Sequence, residues 1–272
     1  MAPRPRKTPP TQLDELRSHL QALKLHAMLS VLDEALEQAQ TLQQGYAAFL
    51  AGLVSKQVLA MTETSAERRI AAAKFSKTRT FDGFDWTFQA GLNVQLVKDL
   101  MNLDFVRQAR PLLLLGRPGT GKSHISIAYG HLAALSGYNV RFYDAKKLLG
   151  ELYATLADGT TDRFIARLAR PHLLIIDDIR QMPAKPEHAS LLYDVVDARH
   201  GRASTIVSSN LSIKRWGAAL GNPTLTASLV DRLMERSHII NIRRGRSYRL
   251  HGPEAPPAED RPTDLDDSET AQ

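Results

Sequence analysis

The 272-residue sequence predicts a doubly wound α/β domain on a five-stranded parallel sheet, preceded by a small all-helical module. Two observations carry this. After Arg110, short apolar runs alternate with helical stretches, the pattern of parallel strands joined by crossover helices. Before Thr80, apolar residues recur only at helical spacing. The chain has no cysteine and no apolar run long enough to cross a membrane. That excludes a disulfide scaffold, a cysteine-ligated metal site and a membrane span; with no secretory leader either, the expected location is the cytoplasm.

Taken in order, Met1–Pro10 holds four prolines with Arg4, Arg6 and Lys7, and reads as a disordered basic leader. Residues 11–79 form the helical module. Thr11 is placed to cap the first helix, with Asp14 and Glu15 in its first turn. Leu13, Leu16, Leu20 and Leu23 give that helix its apolar face, and Met28, Val31, Leu32 and Leu36 give the second its own. Tyr46–Leu59 suggests a third helix and Glu67–Arg79 a fourth. Thr80–Thr87 carries Phe81, Phe84 and Trp86 around a glycine turn, a composition that suits a plug at a domain junction, and a helix over 93–107 follows. In the α/β domain, residues 80–251, strands are expected at 111–115, 139–143, 172–176, 203–208 and 237–242. Helices are expected at 122–136, 145–157, 161–169, 188–200, 212–219 and 224–235. Gly252–Gln272 holds seven acids against Arg261 alone and reads as a disordered acidic tail. The whole-chain charge of +6 therefore understates how basic the body is, and a basic body favours a polyanion partner.

The chemistry clusters on the strand ends. Leu112–Leu115 run into Gly116-Arg117-Pro118-Gly119-Thr120-Gly121-Lys122-Ser123 and then an apolar helix, a phosphate-binding loop in its strand-loop-helix context. Glycines let successive N–H groups face a triphosphate, and the helix N-terminus adds partial positive charge. Gly116, Pro118, Gly119, Thr120, Gly121, Lys122, Ser123 and His124 are the candidate nucleotide residues. Lys122 is expected on the β- and γ-phosphates and Ser123 on Mg²⁺. His124, just inside the helix, reads as a packing residue. The strand Leu173–Ile176 ends in Asp177-Asp178, with Asp177 expected to hold Mg²⁺ through water and Asp178 to orient the attacking water. Asp is one methylene shorter than Glu at that second position, so slow or partner-dependent hydrolysis is expected. Asn210, the polar end of the strand stretch Thr205–Asn210, can bond both water and γ-phosphate. Arg232 can fork onto phosphate oxygens of a neighbouring subunit or pair with acids of its own helix.

These segments together resemble the AAA+ ATPases of the helicase-loader and transposition-helper branch, most closely the IstB family of helpers encoded with IS21-type transposases. GRPGTGKSH, SGYNVRFYDA, LLIIDDI, STIVSSN, SLVDRLMERSHII and GRSYRL carry the resemblance, which spans about 11–250. It implies a AAA+ P-loop NTPase fold, hydrolysis of ATP with Mg²⁺, Asp177 and Asp178 as Walker B acids, Asn210 as sensor 1 and Arg232 as the trans-acting arginine. Arg180 stands where such proteins usually have glycine, Glu235 where histidine is frequent, and Lys56-Gln57 where an acid is usual.

The resemblance also makes the helices at 145–157 and 161–169 the insertion that lines a DNA path, with Lys146, Lys147, Arg163, Arg167 and Arg170 as candidate phosphate contacts. The expected partners are duplex DNA, a transposase and further copies of the chain in a ring or spiral, with no membrane. The alternative is a replicative helicase loader of the DnaC type. The short stretch after residue 241 encodes no C-terminal lid, so the adenine is expected to be covered by the N-terminal junction or a neighbouring subunit. There is no HExxH pair, no GxSxG elbow and no ligand spacing among the nine histidines, which excludes the common hydrolytic alternatives.

Overall fold

The computed structural model describes residues 11–89, 91–180, 185–242 and 245–252; the basic leader and all of the acidic tail but Gly252 lie outside them. The chain divides into two compact units between Glu67 and Arg68.

In the first unit, α1 (Gln12–Ala22), α2 (His26–Thr41) and the start of α3 (Tyr46–Ala73) close around Leu20, Met28, Leu32 and Leu53. Thr11 caps α1 reciprocally with Asp14, its hydroxyl accepting from the Asp14 N–H while the Asp14 carboxylate accepts from the Thr11 N–H. Leu25, the residue at the start of α2, has no capping side chain. Gln57 supplies one instead: its Oε1 accepts from Ala27 N–H at 3.1 Å and Met28 N–H at 3.3 Å. An amide oxygen here does the work a carboxylate would do. The two helices expected at 46–59 and 67–79 are one, because Ala60–Ala66 contains neither glycine nor proline. It stops at Ala73, where Lys74 turns left-handed.

The second unit is built on a five-stranded parallel sheet: β1 (Leu112–Gly116), β2 (Val140–Asp144), β3 (Leu173–Ile179), β4 (Ser204–Ser209) and β5 (His238–Ile242). Their spatial order is β2-β3-β4-β1-β5. The helix expected over 93–107 is broken into α4 (Val94–Asp99), a 3₁₀ turn and α5 (Asp104–Arg107). Leu103 sits at φ +60° between the last two, a conformation no helix can propagate; its side chain is buried, which offsets the strain.

The crossovers are α6 (Lys122–Leu135), α7 (Ala145–Asp158), α8 (Thr161–Ala169), α9 (Glu187–Arg199), α10 (Trp216–Leu220) and α11 (Pro223–Met234), and α12 (Tyr248–His251) follows the last strand. Strand side chains alternate between two cores. Leu112, Leu114, Phe142, Ile175 and Ile206 face α6 with Phe81, Phe84 and Phe105. Leu113, Leu115, Leu174, Ile176 and Val207 face α7, α9 and α11. The aromatics of 80–87 thus pack on the flank of α6 within this unit: Phe81 meets Tyr129 edge-on at 4.8 Å and Phe84 meets His124 at 5.1 Å.

Arg199 is a buried strap that sequence reasoning did not single out. It is 1% exposed, and its guanidinium donates to Leu168 O at 2.7 Å, Pro171 O at 2.9 Å, Thr205 Oγ1 at 3.0 Å and Ser204 O. Burial pulls its pKa down to about 10, so it stays charged at neutral pH. Arg199→Leu strands those acceptors, and a loss of about 3 kcal/mol or more is expected in denaturant unfolding; a change under about 1 kcal/mol would show the strap to be dispensable.

Candidate active site

Three adjacent strands, β3, β4 and β1, end side by side, and each delivers chemistry at its C-terminal end. This is where an open α/β sheet leaves a crevice.

From β1 the chain enters the glycine loop. Gly119 and Gly121 take φ +78° and +93°, which curls the backbone back before α6. Gly121 opens α6 with no side-chain cap, so the first amides of a 14-residue helix face the loop's concavity. A Cβ on Gly116 would lie 2.7 Å from Ile242 O, so close packing on β5 also dictates glycine there. Thr120 is fully buried and its hydroxyl donates to Arg117 O at 2.8 Å. Lys122, 7% exposed, donates through Nζ to Gly116 O and Arg117 O, both at 2.8 Å.

At the end of β3 the ladder slips between Ile176 and Ile179, and Asp178 sits at φ +66° in that irregularity. Two serines of β4 set the geometry. Ser208 Oγ donates to Asp177 Oδ1 at 2.5 Å and accepts from the Asp178 N–H at 2.8 Å. Ser209 Oγ donates to Ile179 O at 2.5 Å while accepting from Trp216 Nε1–H at 3.2 Å. Asp177 is 9% exposed. Burial raises its pKa most; hydrogen bonds from Ser208 and Ser123 lower it, the Asp178 charge raises it and Lys122 lowers it. Ser123 and Asp177, expected together, are thus neighbours. Asp178 pairs with Arg180, Oδ2 to Nε at 3.3 Å, so the residue that replaces the usual glycine engages the second carboxylate. Asn210 follows β4 with its Oδ1 buried and without a hydrogen-bond partner among the described residues.

Two further segments reach the loop. His124 Nε2–H donates to Thr80 O at 2.8 Å, and burial lowers its pKa. It holds the 80–89 segment rather than facing the crevice. After β5, residues 245–252 return to the loop: the Tyr248 N–H donates to Gly119 O at 2.9 Å, and a Cβ on Gly119 would collide with Ser247. Gln89 Nε2–H donates to Arg246 O at 2.6 Å. Residues 245–252, in the stretch expected to be too short for a lid, make a strap on the glycine loop.

Other predicted residues lie elsewhere. Arg232 pairs with Asp197 of α9, Nε to Oδ1 at 3.3 Å, and bonds Tyr193, rather than pairing with Asp231 or Glu235 alone. It is near the end of α11, which leads to the start of β5, away from the strand ends that carry the loop. Glu235 bonds His200 at 3.0 Å. The basic candidates do not form one surface. Lys146 and Lys147 follow the C-terminal end of β2, with Lys147 4.0 Å from Glu151. Arg163 lies near the start of α8; hydrogen bonds from Thr160 chiefly lower the pKa of Asp158, and the Arg163 charge adds to them. Arg167 and Arg170 lie at the end of α8, before β3 begins.

The serines missed from sequence had a visible signal, two hydroxyls directly before Asn210. Gln89 and Ser247 had none, since only the fold brings them to residue 119.

The glycine cradle and the buried lysine fit a nucleoside triphosphate. Comparisons agree. Residues 18–254 match the family model of IstB-like ATP-binding proteins. The ATP-binding protein of insertion sequence IS21 from Pseudomonas aeruginosa is 32% identical over 88% of this chain and 89% of its own. That of IS5376 from Geobacillus stearothermophilus is 30% identical over 87% of this chain and 94% of its own. Among solved structures, AMPPCP-bound DnaA from Aquifex aeolicus is similar in fold, with a TM-score of 0.52 at 19% identity over 65% of this chain and 54% of that one. DnaI gives 0.50 at 18% identity over 60% and 90%. With the glycine loop, the paired acids and the parallel sheet all in place, the chain belongs to the IstB-like ATP-binding protein family and is an ATPase of the AAA+ fold.

Proposed function

We propose that this ATPase is the helper of a transposase, an ATP-switched protein that assembles with copies of itself on duplex DNA, recruits the transposase of its element and times strand transfer by hydrolysis. The observation that supports it most is the convergence of the glycine loop, Asp177, Asp178 and Asn210 on one end of the sheet, in a chain at least 30% identical to insertion-sequence ATP-binding proteins.

In this reading the loop amides from Gly116 to Ser123 and the Lys122 ammonium hold the phosphates. Ser123 and Asp177 would hold Mg²⁺, which would supply neutralisation of phosphate charge. Among the described residues no three His, Asp or Glu cluster as a metal site, so these two are expected to share the ion with phosphate and water, as is usual for Mg²⁺. Asp178 orients the attacking water and accepts its proton, for which the Arg180 contact has to give way; low basal turnover follows. The Asn210 amide bonds water and γ-phosphate. Arg232, half-buried and held by Asp197 and Tyr193, reaches a neighbouring subunit's nucleotide, and its distance from its own loop supports a role in trans.

Steady-state ATPase assays with and without duplex DNA and the element's transposase test this. Asp178→Ala is expected to bind ATP within about threefold of the parent while losing about 100-fold or more in turnover. Full turnover in that variant removes Asp178 from the mechanism. ATP that changes neither duplex affinity nor assembly state contradicts the switch.

A further inference from the structure

Away from the ATP site, an open cavity of about 310 Å³ lies along the edge of the sheet in the second unit. Its lining includes Arg69, Arg141, Arg167 and Arg170, with Asn139 and Tyr143, and contains no aspartate or glutamate. β2 is the outermost strand and supplies Arg141 and Tyr143; the last turns of α3 supply Arg69; α8 and the residue after it supply Arg167 and Arg170.

Three of the guanidiniums, those of Arg69, Arg141 and Arg167, are held in place by groups that do not neutralise them. Arg69 Nε donates to Ala134 O at 2.8 Å and Arg141 Nη1 to Ala72 O at 2.7 Å. Arg141 lies over the Tyr143 ring at 5.6 Å and Arg167 over the Phe164 ring at 4.5 Å. Among the described residues none of the four forms a salt bridge. Four like charges around one cavity repel one another, and fixed, uncompensated arginine forks match phosphate oxygens.

We propose that this arginine groove is a binding site for the phosphodiester backbone of duplex DNA. The inference rests on the DNA-binding reading and deepens it: Arg69 and Arg141 join Arg167 and Arg170 in one site, and Lys146 and Lys147, at the opposite end of β2, lie outside it. The groove is open along the sheet edge, which admits a continuous strand. Its guanidiniums read charge and not base edges, so binding is sequence-tolerant.

The test uses the full chain with ATP and a duplex of about 30 base pairs, with affinity read by fluorescence anisotropy across a salt series. Arg69→Gln/Arg170→Gln is expected to lose at least tenfold in affinity near 0.1 M salt. The slope of log affinity against log salt should become shallower by about 1 to 2, the signature of one or two lost phosphate contacts. Arg69 also anchors a backbone carbonyl, so Arg167→Gln/Arg170→Gln, which removes no such anchor, is expected to show the same trend. ATP affinity should be unchanged in both, and Lys146→Gln/Lys147→Gln should stay within about threefold of the parent for duplex. Arginine variants with parental affinity and slope overturn the groove assignment alone. A parent chain that binds no duplex overturns the DNA-binding reading with it. Variants that keep duplex affinity but lose affinity for a peptide carrying the Glu254–Glu269 acids overturn it in favour of an acidic-peptide site.

Discussion

Asp177→Asn is expected to make the nucleotide-free protein more stable and to abolish its hydrolysis of ATP. The carboxylate is 9% exposed, and burial raises its pKa despite the hydrogen bonds from Ser208 and Ser123. A raised native pKa means the folded protein holds this proton to higher pH than the unfolded chain does. The associated stability is fully present below the ordinary value of 3.8 and is lost as pH rises through the native value. At neutral pH the charge is therefore a cost, relieved when a divalent cation arrives. Asparagine keeps the acceptor for Ser208 and removes the charge, so thermal melts should rise by about 2 °C or more without nucleotide. The difference between parent and variant should shrink towards pH 4. Turnover should fall about 100-fold or more if Asp177 holds the cation as proposed, because the carboxylate charge is gone. A variant no more stable than the parent would show that the carboxyl is already neutral or neutralised in the resting protein.

Gly119→Ala is the second large effect. Its φ of +78° strains any residue with a Cβ, and the added methyl would run into Ser247 of the strap. Strain of about 1–3 kcal/mol corresponds to roughly 5- to 150-fold in affinity, and ATP binding is expected to weaken within that range. Ser247→Gly alone should bind ATP as the parent does. Combined with Gly119→Ala it separates the causes: weak binding that persists assigns the loss to the cradle's curvature, whereas recovery to parental affinity assigns it to displacement of the strap.

The elements that carry the site were legible because their signals are local. A run of leucines into a glycine loop, or of isoleucines into two aspartates, needs no tertiary knowledge to place on a strand end. Alternation was hidden, since strands buried on both faces read as continuous apolar runs; the division of Leu112 and Leu114 from Leu113 and Leu115 appears only once α6 and α7 cover opposite faces. The break at Leu103 was invisible because its cause is burial of an ordinary leucine, not a glycine or proline. In the same way, the basic residues of 145–170 looked like one cluster in sequence. Lys146 and Lys147 stand in the first turn of the 14-residue α7, whereas Arg69, some 70 residues upstream of Arg141, lines one cavity with Arg167 and Arg170. Ser208 and Ser209 read as strand residues and proved to hold the Asp177 carboxylate and the backbone of Asp178 and Ile179.

The sharpest check is titration of the purified full chain with ATP and Mg²⁺ by calorimetry, parent beside Lys122→Ala. The parent should bind one ATP per chain, and the variant, stripped of the ammonium that stands beside Gly116 O and Arg117 O, should bind about 100-fold more weakly or not at all. A parent that gives no binding heat, or a variant indistinguishable from it, would contradict a triphosphate site at the end of β1.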